Sequence, residues 1–361
     1  MLTISFMTTL GVNVGDEFIR EGIRAILERA GIPYSPLYVN KHDPASLHEP
    51  REDETRIVAD KFWDSDVFIQ SGAPVYWNFG EHSSLTSEWA VWLWKDRILN
   101  RSKTGPLFLN LGAGSCQPWN DEGAAFLNDP GCRGHAQDAG ERAVVTVVRD
   151  RVASKILSTL NVTHQALPCP AFLAAARHRF PAASRDVIGI NLMPKGAHYD
   201  ISGTFDHDRW NRACDTLCAS LRASGRLFFI AHDKPELEFM QRFARPTERV
   251  VLANGWRDYL DIYAACAVVV ANRVHGAVCA AGFGIPGIIM GNDTRALIGE
   301  YIGLSVVGSN SLLPEAVAAE AAAMLRQRDQ HRDTLLALRE SALSTYAQLI
   351  TPALAPLLCP A

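Results

Sequence analysis

Short β-branched runs alternate with amphipathic stretches along this chain, with polar turns between them, up to about residue 300. In the first half the runs at 3–8, 34–39, 67–72, 106–112 and 144–150 are dominated by apolar residues rather than alternating. They predict strands buried on both faces. Between the first two, Phe18, Ile19, Ile23, Ile26 and Leu27 recur at helical spacing, which predicts an amphipathic helix over 16–30. The pattern stops at Arg179-Phe180-Pro181-Ala182-Ala183-Ser184 and restarts. Strands are then predicted at 187–192, 227–232, 250–253, 268–273 and 287–290, and helices at 209–223, 235–243, 256–266 and 275–283. From Leu312 onward Ala and Leu dominate, which predicts helix with a break at Pro352. Strand–helix alternation of this kind predicts an α/β fold with two doubly wound, Rossmann-like domains facing a cleft. The expected boundaries are 1–182, 183–340 and a helical tail at 341–361. Ligands of such sheets sit beyond the carboxyl ends of the strands, so those loops are where chemistry is sought.

Composition narrows the partners. A length of 361 residues suits two domains, and 48% hydrophobic with 20% charged residues is ordinary for a folded globular chain. The formal net charge of -4, with no run of Lys or Arg, argues against nucleic acid and against an anionic membrane surface. No segment is apolar for long enough to span a bilayer, so an integral membrane protein is not expected. The opening Met1-Leu2-Thr3-Ile4-Ser5-Phe6 lacks a basic region and reads as a first strand rather than a signal peptide. Cysteines 116, 132, 169, 214, 218, 266, 279 and 359 are scattered, without a CxxC pair and mostly inside apolar stretches. They are expected as buried reduced thiols, which implies a cytoplasmic setting and no zinc site.

The segment richest in chemistry is Val268-Val269-Val270-Ala271-Asn272-Arg273-Val274-His275-Gly276-Ala277. A buried strand ends there, and Arg273 and His275 fall where a helix of small residues begins. Two donor side chains beside the unpaired N–H groups of a helix start suit an anion, phosphate above all. The alternative is that both merely flank a turn. Asn13-Val14-Gly15-Asp16-Glu17 opens the first helix, where Gly15 permits a tight turn and Asp16 could act as a cap. Val147-Val148-Arg149-Asp150 sets another Arg at a strand's carboxyl end, and His232-Asp233-Lys234 follows a strand of the second half. The aromatic loop Pro74-Val75-Tyr76-Trp77-Asn78-Phe79-Gly80-Glu81-His82 could stack on a sugar face or simply be buried.

Taken together, these segments resemble the polysaccharide pyruvyl transferases. The likeness rests on Asn13-x-Gly15-Asp16, on Val148-Arg149-Asp150 followed by Ser154, and on Arg273-Val274-His275. Gly284-Ile285-Pro286, Asp293-Thr294-Arg295 and Ile302-Gly303-Leu304 extend it. Two departures stand out. Gln70-Ser71-Gly72-Ala73-Pro74 replaces the family's frequent glycine triplet, and Cys169 stands where an Asp is frequent. Both put the acceptor in question. The resemblance implies a GT-B-like architecture and transfer of a pyruvyl group from phosphoenolpyruvate to a sugar or glycan, free or lipid- or nucleotide-linked. It implies no cofactor. Arg149, Arg273 and Arg295 would grip phosphate and carboxylate, and Asn13, His232, Asn272 and Gly276 would line the substrate site. His275 would be the general acid. The base is left open among Asp16, Glu81, His82 and Asp150.

Two rival readings use the same fold. One is a glycosyltransferase taking a nucleotide sugar, although no GxGxxG follows a strand. The other is a non-catalytic binding protein. No catalytic metal is expected, because arginines occupy the anion site and the pair Asp64-Ser65-Asp66 precedes its strand.

Overall fold

Apolar runs become parallel strands here because both of their faces are covered, so each side chain along the run can be buried. The computed structural model of the chain describes residues 1–9, 13–40, 65–79, 82–85, 106–178, 187–199, 201 and 205–358. It divides into two compact units, Met1–Leu173 with Ser341–Ala361, and Ala174–Glu340.

The first unit holds β1 (Leu2–Thr8), α1 (Val14–Arg29), β2 (Tyr34–Asn40), β3 (Val67–Ser71), β4 (Pro74–Tyr76), β5 (Asn78–Phe79), β6 (His82–Ser83) and β7 (Leu107–Ser115). It continues with α2 (Ala124–Asn128), α3 (Pro130–Arg142), β8 (Ala143–Val148), α4 (Arg151–Thr159) and β9 (Gln165–Ala166). Its sheet runs β2-β1-β3-β7-β8-β9, with β4 beside β7, and every pairing is parallel. Ile4, Phe6, Ile69, Leu109, Leu111 and Val147 are fully buried in it. The β5–β6 hairpin stands apart as a two-stranded antiparallel ribbon.

The second unit holds β10 (Val187–Asn191), α5 (His207–Arg222), β11 (Arg226–Ala231), α6 (Lys234–Gln241), β12 (Arg249–Leu252) and α7 (Trp256–Ala264). Then follow β13 (Cys266–Ala271), α8 (Val274–Gly282), β14 (Gly287–Gly291), a 3-10 helix Thr294–Ile302, β15 (Ser305–Gly308) and α9 (Pro314–Arg326). Its parallel sheet runs β12-β11-β10-β13-β14-β15 over a core that includes Ile190, Trp210, Leu217, Phe229, Val270 and Met290. Helix starts are capped by acidic side chains, three of them just past the ends of β8, β11 and β14. Asp150, Asp206, Asp233 and Asp293 each accept a backbone N–H from the first turn that follows, a contact usually worth about 1 kcal/mol.

One expectation is corrected. The chain does not break at Pro352, because α10 runs from Arg328 to Leu358 with Pro352 and Pro356 inside it. A mid-helix proline costs about 3 kcal/mol. Ile350 and Leu354 flank it fully buried, each worth about 1.5–3 kcal/mol, and the Tyr346 hydroxyl donates to the Pro168 carbonyl at 2.9 Å. Tertiary packing outweighs the local penalty.

Candidate functional site

In the second unit, β10, β11 and β13 end side by side, and a polar cluster fills the space beyond them. Asn191 closes β10. Its amide donates to the Ile230 carbonyl and to Glu236 Oε2, both at 2.8 Å, and its Oδ1 accepts the Arg273 backbone N–H at 2.8 Å. Arg273 follows β13. Its Nε donates to Glu236 Oε1 and its Nη2 to Asp233 Oδ2, each at 2.5 Å. Glu236 is fully buried, whereas the Asp233 side chain is 43% exposed. Asp233 also caps α6 by accepting the Glu236 N–H at 2.9 Å.

His232 lies just past β11. Its Nε2 is 2.7 Å from the Tyr263 hydroxyl, and its ring lies against Tyr259 at 4.6 Å between centroids. Burial first, and then the Arg273 and His275 charges, hold its imidazole well below the usual range, so it is neutral at pH 7. Burial likewise pushes the Tyr263 phenol far up, so that it stays protonated. His275 sits half-buried in the first turn of α8, a helix start that no side chain caps. Gly276 follows because a Cβ there would lie 2.2 Å from the Tyr263 hydroxyl oxygen.

Asn272 and Arg295 were both expected at the substrate. Asn272 is buried and knits loops together: its amide donates to the carbonyls of Gly196 (2.7 Å) and Met290 (2.9 Å), and its Oδ1 accepts the Met193 N–H at 2.9 Å. Arg295, past β14, forks onto Asp293 at 2.7 and 2.5 Å and lies 4.5 Å from the Tyr199 ring centroid. Two guanidinium groups thus meet three carboxylates. Sequence reasoning foresaw the arginines at the strand ends but not their balancing acids. Glu236 reads as one more surface residue of a polar helix, and only its burial singles it out. Asn191 left a faint trace, as a polar residue ending an apolar run.

In the first unit, Asn13 caps α1, its Oδ1 accepting the Gly15 N–H at 3.0 Å. Asp16 is buried and accepts a hydrogen bond from the Thr9 hydroxyl. Arg149 is also buried, at 1% exposure, with Nη1 3.2 Å from the Gly72 carbonyl oxygen and 3.7 Å from Cys169 Sγ. The two departures from the family pattern therefore meet at one guanidinium. Gly114 is needed beside it, since a Cβ there would lie 2.6 Å from Arg149 Nε. Asp150, a candidate base, is fully buried. It accepts from the Ser115 N–H (2.7 Å), the Ser115 hydroxyl (2.8 Å) and the Ala153 N–H (2.8 Å). Burial raises its pKa despite these donors. Glu81 and the His82 side chain lie outside the described residues.

Among the described residues, no group of three or more His, Cys, Asp and Glu could hold a metal ion. No helix among them is long and apolar enough to cross a membrane. The seven described cysteines are free and buried.

Comparison with known proteins adds a family and a fold. A sequence model for the family described as polysaccharide pyruvyl transferase matches residues 13–294. Among curated proteins none matches the chain. Of the solved structures, a UDP-GlcNAc 2-epimerase from Neisseria meningitidis bound to UDP-GlcNAc is 9% identical. That match covers 99% of this chain and 100% of the other, with a TM-score of 0.53. A candidate UDP-N-acetylglucosamine 2-epimerase from Listeria monocytogenes is 12% identical over 93% of this chain and 90% of its own, with a TM-score of 0.55. The S. aureus MnaA–UDP structure is 11% identical over 93% and 91%, with a TM-score of 0.50. At such identities the likeness speaks for the shared GT-B-type fold and nothing further.

Proposed function

Because the chain belongs to the polysaccharide pyruvyl transferase family, we propose that it transfers a pyruvyl group from phosphoenolpyruvate to two hydroxyls of a sugar or glycan. A proton is added to the methylene carbon of the enol. One hydroxyl adds to the adjacent carbon, phosphate leaves with the C–O bonding pair, and the second hydroxyl closes the ketal. The two hydroxyl protons go to base and to solvent. Atoms balance without a cofactor or a redox partner.

Arg273 binds the phosphate and His275 delivers the proton, a role that suits an imidazole beside an anion. Arg149 and Arg295 assist with the carboxylate. Asp16 or His82 takes a hydroxyl proton. Asn13 and Asn272 order the loops from which these groups project, and His232 with Gly276 shapes the wall. The observation that carries the reading is the meeting of Arg273, His275 and the start of α8 beyond β13, inside the segment that matches the family. Buried free thiols fit work in the cytoplasm.

A thermal-shift series tests the donor, since a ligand that prefers the native state raises its melting temperature. Phosphoenolpyruvate should raise it, Arg273→Ala should abolish the rise, and phosphate should be released only with a glycan acceptor present. A shift produced by UDP-sugars and not by phosphoenolpyruvate overturns the pyruvyl reading in favour of a glycosyltransferase.

A further inference from the structure

We propose that Glu236 is the positioning residue of the anion site: it holds the Arg273 guanidinium by Nε, so that the Nη1 edge is presented to a phosphate-bearing ligand. This rests on the reading above that Arg273 binds the phosphate of the donor. None of the motifs that carry the family likeness includes Glu236.

The geometry is specific. Both Glu236 oxygens are engaged: Oε1 accepts from Arg273 Nε at 2.5 Å, and Oε2 accepts from Asn191 Nδ2 at 2.8 Å and from the His232 N–H at 2.9 Å. The three donors come from the ends of three adjacent strands, β10, β11 and β13, so the carboxylate is pinned to the sheet itself. A guanidinium is planar. Fixing Nε at Glu236 and Nη2 at Asp233 fixes its plane and leaves Nη1 as the edge with no partner among the described residues. The two acids differ in kind. Glu236 is fully buried, while Asp233 is 43% exposed and already occupied as the α6 cap. Water competes for Asp233 and not for Glu236, so Glu236 sets the direction of the arginine. A glutamine cannot replace it. Its NH2 group would face one of the donors, Arg273 Nε on one side or Asn191 and the His232 N–H on the other.

The test is a double-mutant cycle on the full-length chain, read by calorimetric titration with inorganic phosphate and, separately, with phosphoenolpyruvate. Glu236→Gln should weaken phosphate binding about tenfold, and in an Arg273→Ala background it should change binding by less than about twofold, since residues acting through one contact are not additive. A residue that only supports the fold would add its loss in full to that of Arg273→Ala. That result overturns the proposal, as does wild-type phosphate affinity in Glu236→Gln. Each corner must melt cooperatively with the wild-type circular dichroism. If Glu236→Gln does not fold, Glu236→Asp runs the same cycle with the same expectation, because it keeps the charge but falls one methylene short of Nε. Arg273→Gln replaces Arg273→Ala on the same condition. Phosphate binding with the expected coupling, but no binding or turnover of phosphoenolpyruvate, defeats the pyruvyl reading and leaves the positioning role standing. Absence of phosphate binding in the wild type overturns the positioning role directly.

Discussion

Removing Arg273 should destabilise the second unit, and more so as pH rises. Arg273→Ala leaves the Glu236 carboxylate fully buried without its charged partner. Truncating one member of a buried pair typically costs about 3–5 kcal/mol. Here the Arg273 side chain is 16% exposed, and Asn191 with the His232 N–H still donates to Glu236, which brings the expectation to about 2–3 kcal/mol. The second contact, to half-exposed Asp233, adds about 0–1 kcal/mol. The sign of the pH effect follows from Glu236. Its folded pKa is raised above the ordinary 4.5, chiefly by burial, and Arg273 is the first influence opposing that rise. A carboxyl raised on folding stabilises most when protonated, below its unfolded pKa, and that contribution is lost as pH climbs through the folded value. Without Arg273 the folded pKa rises further, so the loss relative to wild type should grow between pH 5 and pH 8. Native-state hydrogen exchange of β10, β13 and α8, corrected for intrinsic rates, reads this locally. An unchanged exchange free energy, or a loss that is the same at both pH values, refutes the account of a buried carboxylate held by Arg273.

Gly276→Ala forces a Cβ to within 2.2 Å of the fully buried Tyr263 hydroxyl and should cost about 1–3 kcal/mol in urea unfolding; wild-type stability would mean that the tyrosine shifts freely. Asp150→Ala deletes the acceptor of three hydrogen bonds and should cost about 2–4 kcal/mol, while Asp150→Asn, which can keep the α4 cap but sets its NH2 against the Ser115 N–H, should cost less and retain turnover. Loss of turnover in a stable Asp150→Asn variant would instead make this residue the base. If guanidinium groups hold the phosphate as proposed, activity should survive exhaustive chelation by EDTA, because a cation there would compete with them for the phosphate oxygens. Loss that magnesium or manganese restores would show otherwise.

By itself the sequence determined the two parallel sheets, because a strand covered on both faces must be apolar throughout, and such runs stand out in one dimension. The runs around 67–72, 187–192 and 268–273 became β3, β10 and β13 to within two residues at either end. Arg273 and Arg149 were legible for the related reason that a strand's carboxyl end is where polar groups must emerge. The short strands β4, β5, β6, β9 and β15 were not legible. Each has two to four residues, and what makes it a strand is the neighbour it pairs with. The same holds for the unbroken helix through Pro352, where buried Ile350 and Leu354 override the local rule. It holds most of all for Glu236. On α6 it reads as one more charge on a solvated helix, but it lies beneath the ends of three strands and meets an arginine 37 residues away. Charge pairing over that separation follows from how the sheet stacks its strand ends side by side, and only the tertiary structure carries that order.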